Sequence, residues 1–215
     1  MERFVSDGRV DYAGFMRERT ALEAYLTQVA TADPARLPSQ RAQLAFWINA
    51  YNACVVKGVL DHHPLSSVKD VKGFFNRIRY RVAREDLTLD EIEARGRALG
   101  DWRIHFALVC ASASCPPIRS EAYQADWLEP QLAEQVKAFL KDARHGLRLE
   151  GNALWVSSIF KWYDEDFVPR RKMVPGRLLP VLEPYLSPEV LAATKGKSLT
   201  VKFLNYDWSL NRQGS

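Results

Sequence analysis

From Leu44 to Leu60, inside QRAQLAFWINAYNACVVKGVL, the chain is apolar on nearly every side, and a helix without a polar stripe has to be wrapped by the rest of the protein. The run follows Pro38 and Ser39. A buried central helix is therefore predicted. Two residues violate the pattern. Asn49 and Asn52 lie within the apolar stretch, and a buried amide left without partners costs about 1–3 kcal/mol. Either they tie neighbouring loops to the core, or one of them lines a ligand pocket.

The 215 residues, 47% apolar and 26% charged, suffice to bury roughly 70% of the unfolded surface. One domain over residues 1–215 is expected. The 30 basic and 26 acidic side chains, net +4, are interleaved along the chain. The densest basic run, Pro169–Lys172, follows the acidic Asp164–Asp166, so its field is partly cancelled. No recognition motif accompanies the charge, and nucleic acid is not an expected partner. No apolar run approaches the roughly 18 residues of a membrane span, and MERFVSDGRVDY lacks the apolar core of a secretory signal. The expectation is a soluble chain with no integral membrane segment, periplasmic or secreted only if an export signal has been removed.

Around the central helix, Phe15, Leu22, Tyr25, Leu26 and Val29 recur at helical spacing and predict an outer helix over Tyr12–Ala30. Arg77–Val82 alternates as a strand. Thr88 with Glu91, and Asp126 with Glu129, have capping-box spacing and predict helices from Leu89 towards Arg97 and through Phe139. Ile104–Cys110, almost wholly apolar, predicts a strand at the centre of a sheet. Leu147–Val156 reads as a hairpin turning at Gly151 and Asn152, followed by helices over Leu178–Tyr185 and Pro188–Lys195 and a last strand over Leu199–Leu204. This order gives an α+β class, a buried central helix packed on a small mixed or antiparallel sheet.

The cysteines are Cys54, Cys110 and Cys115, an odd number far below disulfide-scaffold density. On a strand from Ile104, His105 shares a face with Ala107 and Val109, while Cys110 shares the other with Ile104, Phe106 and Leu108. That assigns Cys110 to the core. Cys115 lies beyond the turn-like Ala111–Ser114 and before Pro116 and Pro117. At a helix entry with Pro116 in first position, free N–H groups would favour its thiolate; Pro117 argues instead for extended backbone. A thiolate nucleophile needs a base and a group that orients the base. His105 is the nearest histidine, and its alternative is a hydrogen-bonded core residue. Contact requires the chain to fold back over the ~20 Å that residues 105–111 would span if extended. His62 and His63 before Pro64, and His145 before Gly146, have the settings of surface loops. Glu93 is the candidate orienter and Asp207 the reserve. Cys110, Cys115 and His105 are acceptable zinc ligands, but opposed faces and the lack of a CxxC or HxxxH pair argue against a site. No metal or other cofactor is expected.

AFWINAYNA at 45–53, LTLDEIE at 87–93, RIHFALVCASASCPP at 103–117, SSIFKWYDEDF at 157–167 and FLNYDWSLN at 203–211 together resemble the domain of unknown function 547 family, in order over most of the chain. The resemblance implies a fold related to the papain and transglutaminase-like cysteine enzymes, with bacterial members often exported. It sets Glu93 at the glutamate of the family's IE(H) motif, His105 at the histidine of HFAL and Cys115 at the cysteine of SCP. Ala94 stands where the family often has histidine, which implies that this second histidine is dispensable for the shared chemistry or that this member has lost something. It also sets Tyr206, Asp207 and Trp208 near the site, unless Asp207 braces a turn. The expected function is a cysteine-dependent hydrolase or acyltransferase acting on a small peptide or amide through a Cys115–His105–Glu93 triad. Oxyanion donors would come from the Cys115 N–H and from Asn49 or Asn52. The alternatives are a module that binds a small peptide or thiol ligand without turnover, and a purely structural domain.

Overall fold

The computed structural model describes residues 3–169 and 173–214, so Arg170–Lys172 of the basic run lie outside the described residues. A short hairpin of β1 (Val5–Ser6) and β2 (Arg9–Val10) precedes α1 (Tyr12–Arg17), α2 (Thr20–Thr31) and α3 (Gln40–Asp61). A second hairpin, β3 (Tyr80–Val82) and β4 (Glu85–Leu87), leads into α4 (Leu89–Arg97) and then α5 (Leu128–Lys141). The hairpin β5 (Leu147–Glu150) and β6 (Ala153–Val156) is followed by α6 (Ile159–Trp162), α7 (Asp164–Phe167), α8 (Pro175–Leu182), α9 (Pro188–Thr194) and β7 (Thr200–Phe203). The class is α+β.

Ser39 accepts the Ala42 N–H at 3.1 Å and opens α3, in which nearly every residue from Leu44 to Leu60 is buried. Each fully buried Ile, Val or Leu there is worth about 1.5–3 kcal/mol. The principal partners of α3 are α4, α2 and α1. It is thus wrapped by helices rather than laid on a sheet, which corrects the expected packing. The three-stranded sheet is mixed, with β5 antiparallel and β7 parallel to β6. Its buried Leu147, Leu154 and Val156 join Val136 and Phe139 of α5, with Phe160, Phe167 and Leu178, in a second core.

Local signals held where they were local. Thr88 accepts from the Glu91 N–H (3.2 Å) while Glu91 accepts from the Thr88 N–H (2.8 Å), the capping box expected before α4. Gly151, at φ +57°, turns the β5–β6 hairpin. Tertiary contacts overrode others. The helix expected over Tyr12–Ala30 is two, because Arg19 anchors the start of α2 to Asp61 at the end of α3 (2.6 Å). The Asp126–Glu129 box does not cap α5, since Glu129 pairs with Arg103 instead.

The largest departure is Ile104–Cys110, which is no strand. Trp102–Phe106 forms a 3-10 turn and irregular backbone follows. The segment runs between the two cores, Phe106 packing in the second and Ile104, Ala107 and Val109 in the first. Side chains replace a neighbouring strand as hydrogen-bond partners. Asn52 donates to Ala107 O (2.9 Å) and accepts from Val109 N–H (3.0 Å), and Gln135 donates to Phe106 O (3.0 Å) and Pro117 O (2.7 Å). Buried backbone groups need partners of some kind, and amides serve as well as a sheet. The N-terminal hairpin closes over the far end of the segment. Gly8 has φ +73°, and a Cβ there would sit 2.3 Å from Pro117 Cβ.

Candidate functional site

The chain returns at Ala111 (φ +60°), and the Cys115 N–H donates to Ser112 O at 3.1 Å. This turn brings Cys115 back onto Cys110, not onto a strand face. The Cys110 N–H donates to Cys115 Sγ at 2.9 Å, and no helix starts at Pro116. Both thiols are half-buried and both line one cavity of about 330 Å³. Assigning Cys110 to the core is therefore corrected, because that division depended on a strand that does not form.

The two sulfurs differ electrostatically. Ser112 Oγ lies 3.0 Å and Tyr206 Oη 3.2 Å from Cys110 Sγ, and either hydroxyl can donate to it. Burial raises the Cys110 pKa, but hydrogen bonding from the Cys115 thiol, Ser112 and Tyr206 outweighs it and brings the thiol from 9.0 down to about 7. Cys115 moves the opposite way, pushed up by burial and by the charge on Cys110. The pair titrates as a unit. Ser112 and Tyr206 favour negative charge on the Cys110 side of the pair.

His105 is buried in the wall of the same cavity. Its Nε2 lies 2.7 Å from Asp166 Oδ2, and its ring stacks on Tyr163 at 4.0 Å. Burial lowers its pKa to about 4, more than the neighbouring carboxylate can restore. The imidazole is neutral near pH 7. Burial also opposes ionisation of Asp166, yet hydrogen bonds from Arg97 (Nε, 2.8 Å) and His105 hold its carboxyl below the usual range.

Glu93 lines the same cavity but makes no hydrogen bond to His105 among the described residues. It interacts with the Tyr163 hydroxyl and lies 3.9 Å from Arg97 Nη1, and burial raises its pKa against both. The carboxylate hydrogen-bonded to His105 is that of Asp166, not Glu93. No local signal marks a partner that far along the chain, although Asp166 lies in the SSIFKWYDEDF block. Among the described residues, His105 makes no hydrogen bond to either thiol.

Other sequence candidates divide clearly. Tyr206 and Trp208 line the cavity. Asp207 is exposed and braces a turn, its N–H donating to Ser114 Oγ (2.8 Å) and its Oδ1 accepting from Ser209 N–H (2.9 Å). Asn49 and Asn52 are not brought to the thiols. Asn49 is engaged with the Tyr123 backbone in both directions (2.8 and 2.9 Å), and both asparagines line a second cavity of about 220 Å³ beside Phe15 and Tyr25. His62 bonds Gly58 O, and His145 pairs with Asp142 outside the cavity shared by both thiols, in a separate one that Cys115 also borders. Among the described residues, no three His, Cys, Asp or Glu side chains are grouped to hold a metal ion, and no helix is long and apolar enough to cross a membrane.

The fold and site thus define an α+β protein in which one cavity is lined by a thiol pair and by an imidazole hydrogen-bonded to a carboxylate behind it. Residues 34–140 match the family described as protein of unknown function, DUF547, and the chain belongs to that family. Asp166, Tyr163 and Tyr206 lie outside the matched span. No curated protein and no solved structure matches the chain.

Proposed function

We propose that the thiol cavity is the active site of a cysteine-dependent hydrolase or acyltransferase acting on a peptide or other amide, with the Cys110–Cys115 pair as nucleophile and His105 as base. The observation that carries this reading is one cavity holding a thiol pair and an imidazole whose Nε2 is tied to Asp166. With the Nε2 proton given to Asp166, Nδ1 is the nitrogen left to accept another. As sulfur attacks the carbonyl carbon, the thiol proton passes to Nδ1 and Asp166 balances the imidazolium. That proton goes to the departing amine nitrogen as the C–N bond breaks, leaving a thioester. Water or an acceptor amine then attacks the thioester, His105 again takes the proton, and the thiol is restored. This chemistry would group the chain with papain and transglutaminase-like enzymes, with Asp166 rather than Glu93 orienting the imidazole.

One observation favours a second reading, a binding module without turnover: the free protein has no hydrogen bond between His105 and either sulfur. Catalysis would require the pair to close on bound substrate.

Iodoacetamide labelling across pH, mapped by mass spectrometry, tests the nucleophile. Cys110 should label with a midpoint of about 7, shifted upwards in Tyr206→Phe and Ser112→Ala and unmoved in His105→Ala. With p-nitrophenyl acetate, a hydroxylamine-sensitive thioester should accumulate on the pair, slowly in His105→Ala. A midpoint at or above the free-thiol value of about 8.5, without a thioester, would remove the hydrolase reading. A low midpoint with no thioester would select the binding module.

A further inference from the structure

The cavity around the thiols is acidic on a chain of net charge +4. Among the described residues it is lined by two carboxylates, Asp90 and Glu93, and by no lysine or arginine. Three residues apart at the start of α4, these carboxylates share one helix face. Asp90 is exposed at its position and has no ion pair among the described residues. Glu93 is largely buried, and the nearest guanidinium, Arg97, is 3.9 Å away while bonding Asp166 at 2.8 Å. Burial raises the pKa of both carboxyls. A buried carboxylate short of a counter-ion is stabilised by any cation that reaches it.

The rest of the wall suits such a cation. Tyr206 lies 4.7 Å from both Trp162 and Trp208, centroid to centroid, and Trp162 stacks on Trp208. Ring faces of this kind attract ammonium and guanidinium groups. Two rings already do so, with Lys69 Nζ 4.3 Å over Trp208 and Arg97 over Tyr163, yet neither cation lines the cavity. At about 330 Å³ the space is at the lower end of small-molecule sites. It fits one long side chain better than a folded peptide.

We infer that the cavity selects a cationic amide: a substrate or ligand with a protonated amine or guanidinium on the side chain beside the reacting carbonyl, its charge against Glu93 and Asp90 and its methylenes against Trp162, Tyr206 and Trp208. This names the substrate class of the site proposed above and rests on reading that site as amide-binding.

Tryptophan fluorescence of the intact protein, titrated with N-acetyl-lysine amide, N-acetyl-norleucine amide and N-acetyl-glutamate amide, tests the inference without requiring turnover. The lysine amide should bind roughly tenfold more tightly than its norleucine isostere. High salt should shrink that advantage, and Asp90→Asn and Glu93→Gln should each reduce it. Asp90 is exposed, so its variant keeps the test decisive if Glu93→Gln fails to fold. Equal affinities, preference for norleucine or glutamate, or no binding by any of the three overturns the inference. A lysine preference with no thioester from activated acyl donors would leave the inference standing and remove the hydrolase; a thioester with no lysine preference would do the reverse.

Discussion

Two cavities open on opposite sides of α3, and they differ in what their polar groups do. Asn49 and Ala53, four residues apart on one face, border the apolar cavity, while Tyr51, midway between them, borders the thiol cavity. On the apolar side the carboxamide of Asn49 is engaged with the Tyr123 backbone and that of Asn52 with Ala107 and Val109. These amides hold loops. On the thiol side Cys110 bonds Tyr206, while Asp90 has no ion pair among the described residues. Spare hydrogen-bonding capacity exists on both sides, since Tyr123 Oη and Arg119 Nε beside the apolar cavity have no hydrogen-bond partner among the described residues, but thiols and an imidazole line the thiol side alone of the two. The same helix therefore presents a structural face and a chemical one.

The sharpest way to break this contrast is to remove sulfur. Cys110→Ser and Cys115→Ser should each abolish thioester formation, a loss of roughly 1,000-fold or more in acylation rate; acylation retained in both would erase the distinction between the cavities. Next, His105→Ala should slow acylation by about 100- to 10,000-fold. Asp166→Asn should lower it less, and Glu93→Gln should slow acylation by a neutral donor less than Asp166→Asn does. A larger loss from Glu93→Gln on that donor would return the orienting role to Glu93.

A pH effect on stability belongs to the thiol side as well. His105 falls from 6.5 in the unfolded chain to about 4 when folded, so the unfolded state binds its proton more tightly. Its contribution is complete above pH 6.5 and is lost as pH falls towards 4, about 3 kcal/mol in all. Glu93, raised by burial, contributes in the opposite sense. Urea unfolding of the protein and of His105→Gln should therefore diverge across that window, and parallel curves would contradict a buried neutral imidazole.

The smallest effects should lie on the apolar side. Asn52→Ala strands a buried carbonyl and a buried N–H and should cost about 2–3 kcal/mol, and Asn49→Ala, less buried, about 1–2 kcal/mol. Neither should move the alkylation midpoint of Cys110 in molecules that remain folded. A shifted midpoint in Asn49→Ala would show that the two faces are coupled.

Residues 103–117 and α3 also differ in how far they were legible beforehand. The central helix, the capping box before α4, the hairpin at Gly151 and the α+β class follow from the chain itself, because periodicity, caps and turn residues are properties of neighbours in sequence. His105 and the thiols were legible as residue types worth attention. Their arrangement was not, since an apolar run buried from every side has no period to read, and a strand and an irregular segment between two cores look alike. Only packing decided that Asn52 and Gln135 would stand in for a sheet, that Cys115 would fold back onto Cys110, and that Asp166 would reach His105 ahead of Glu93 or Asp207. Those choices depend on distances through space, which chemical type and sequence separation do not specify.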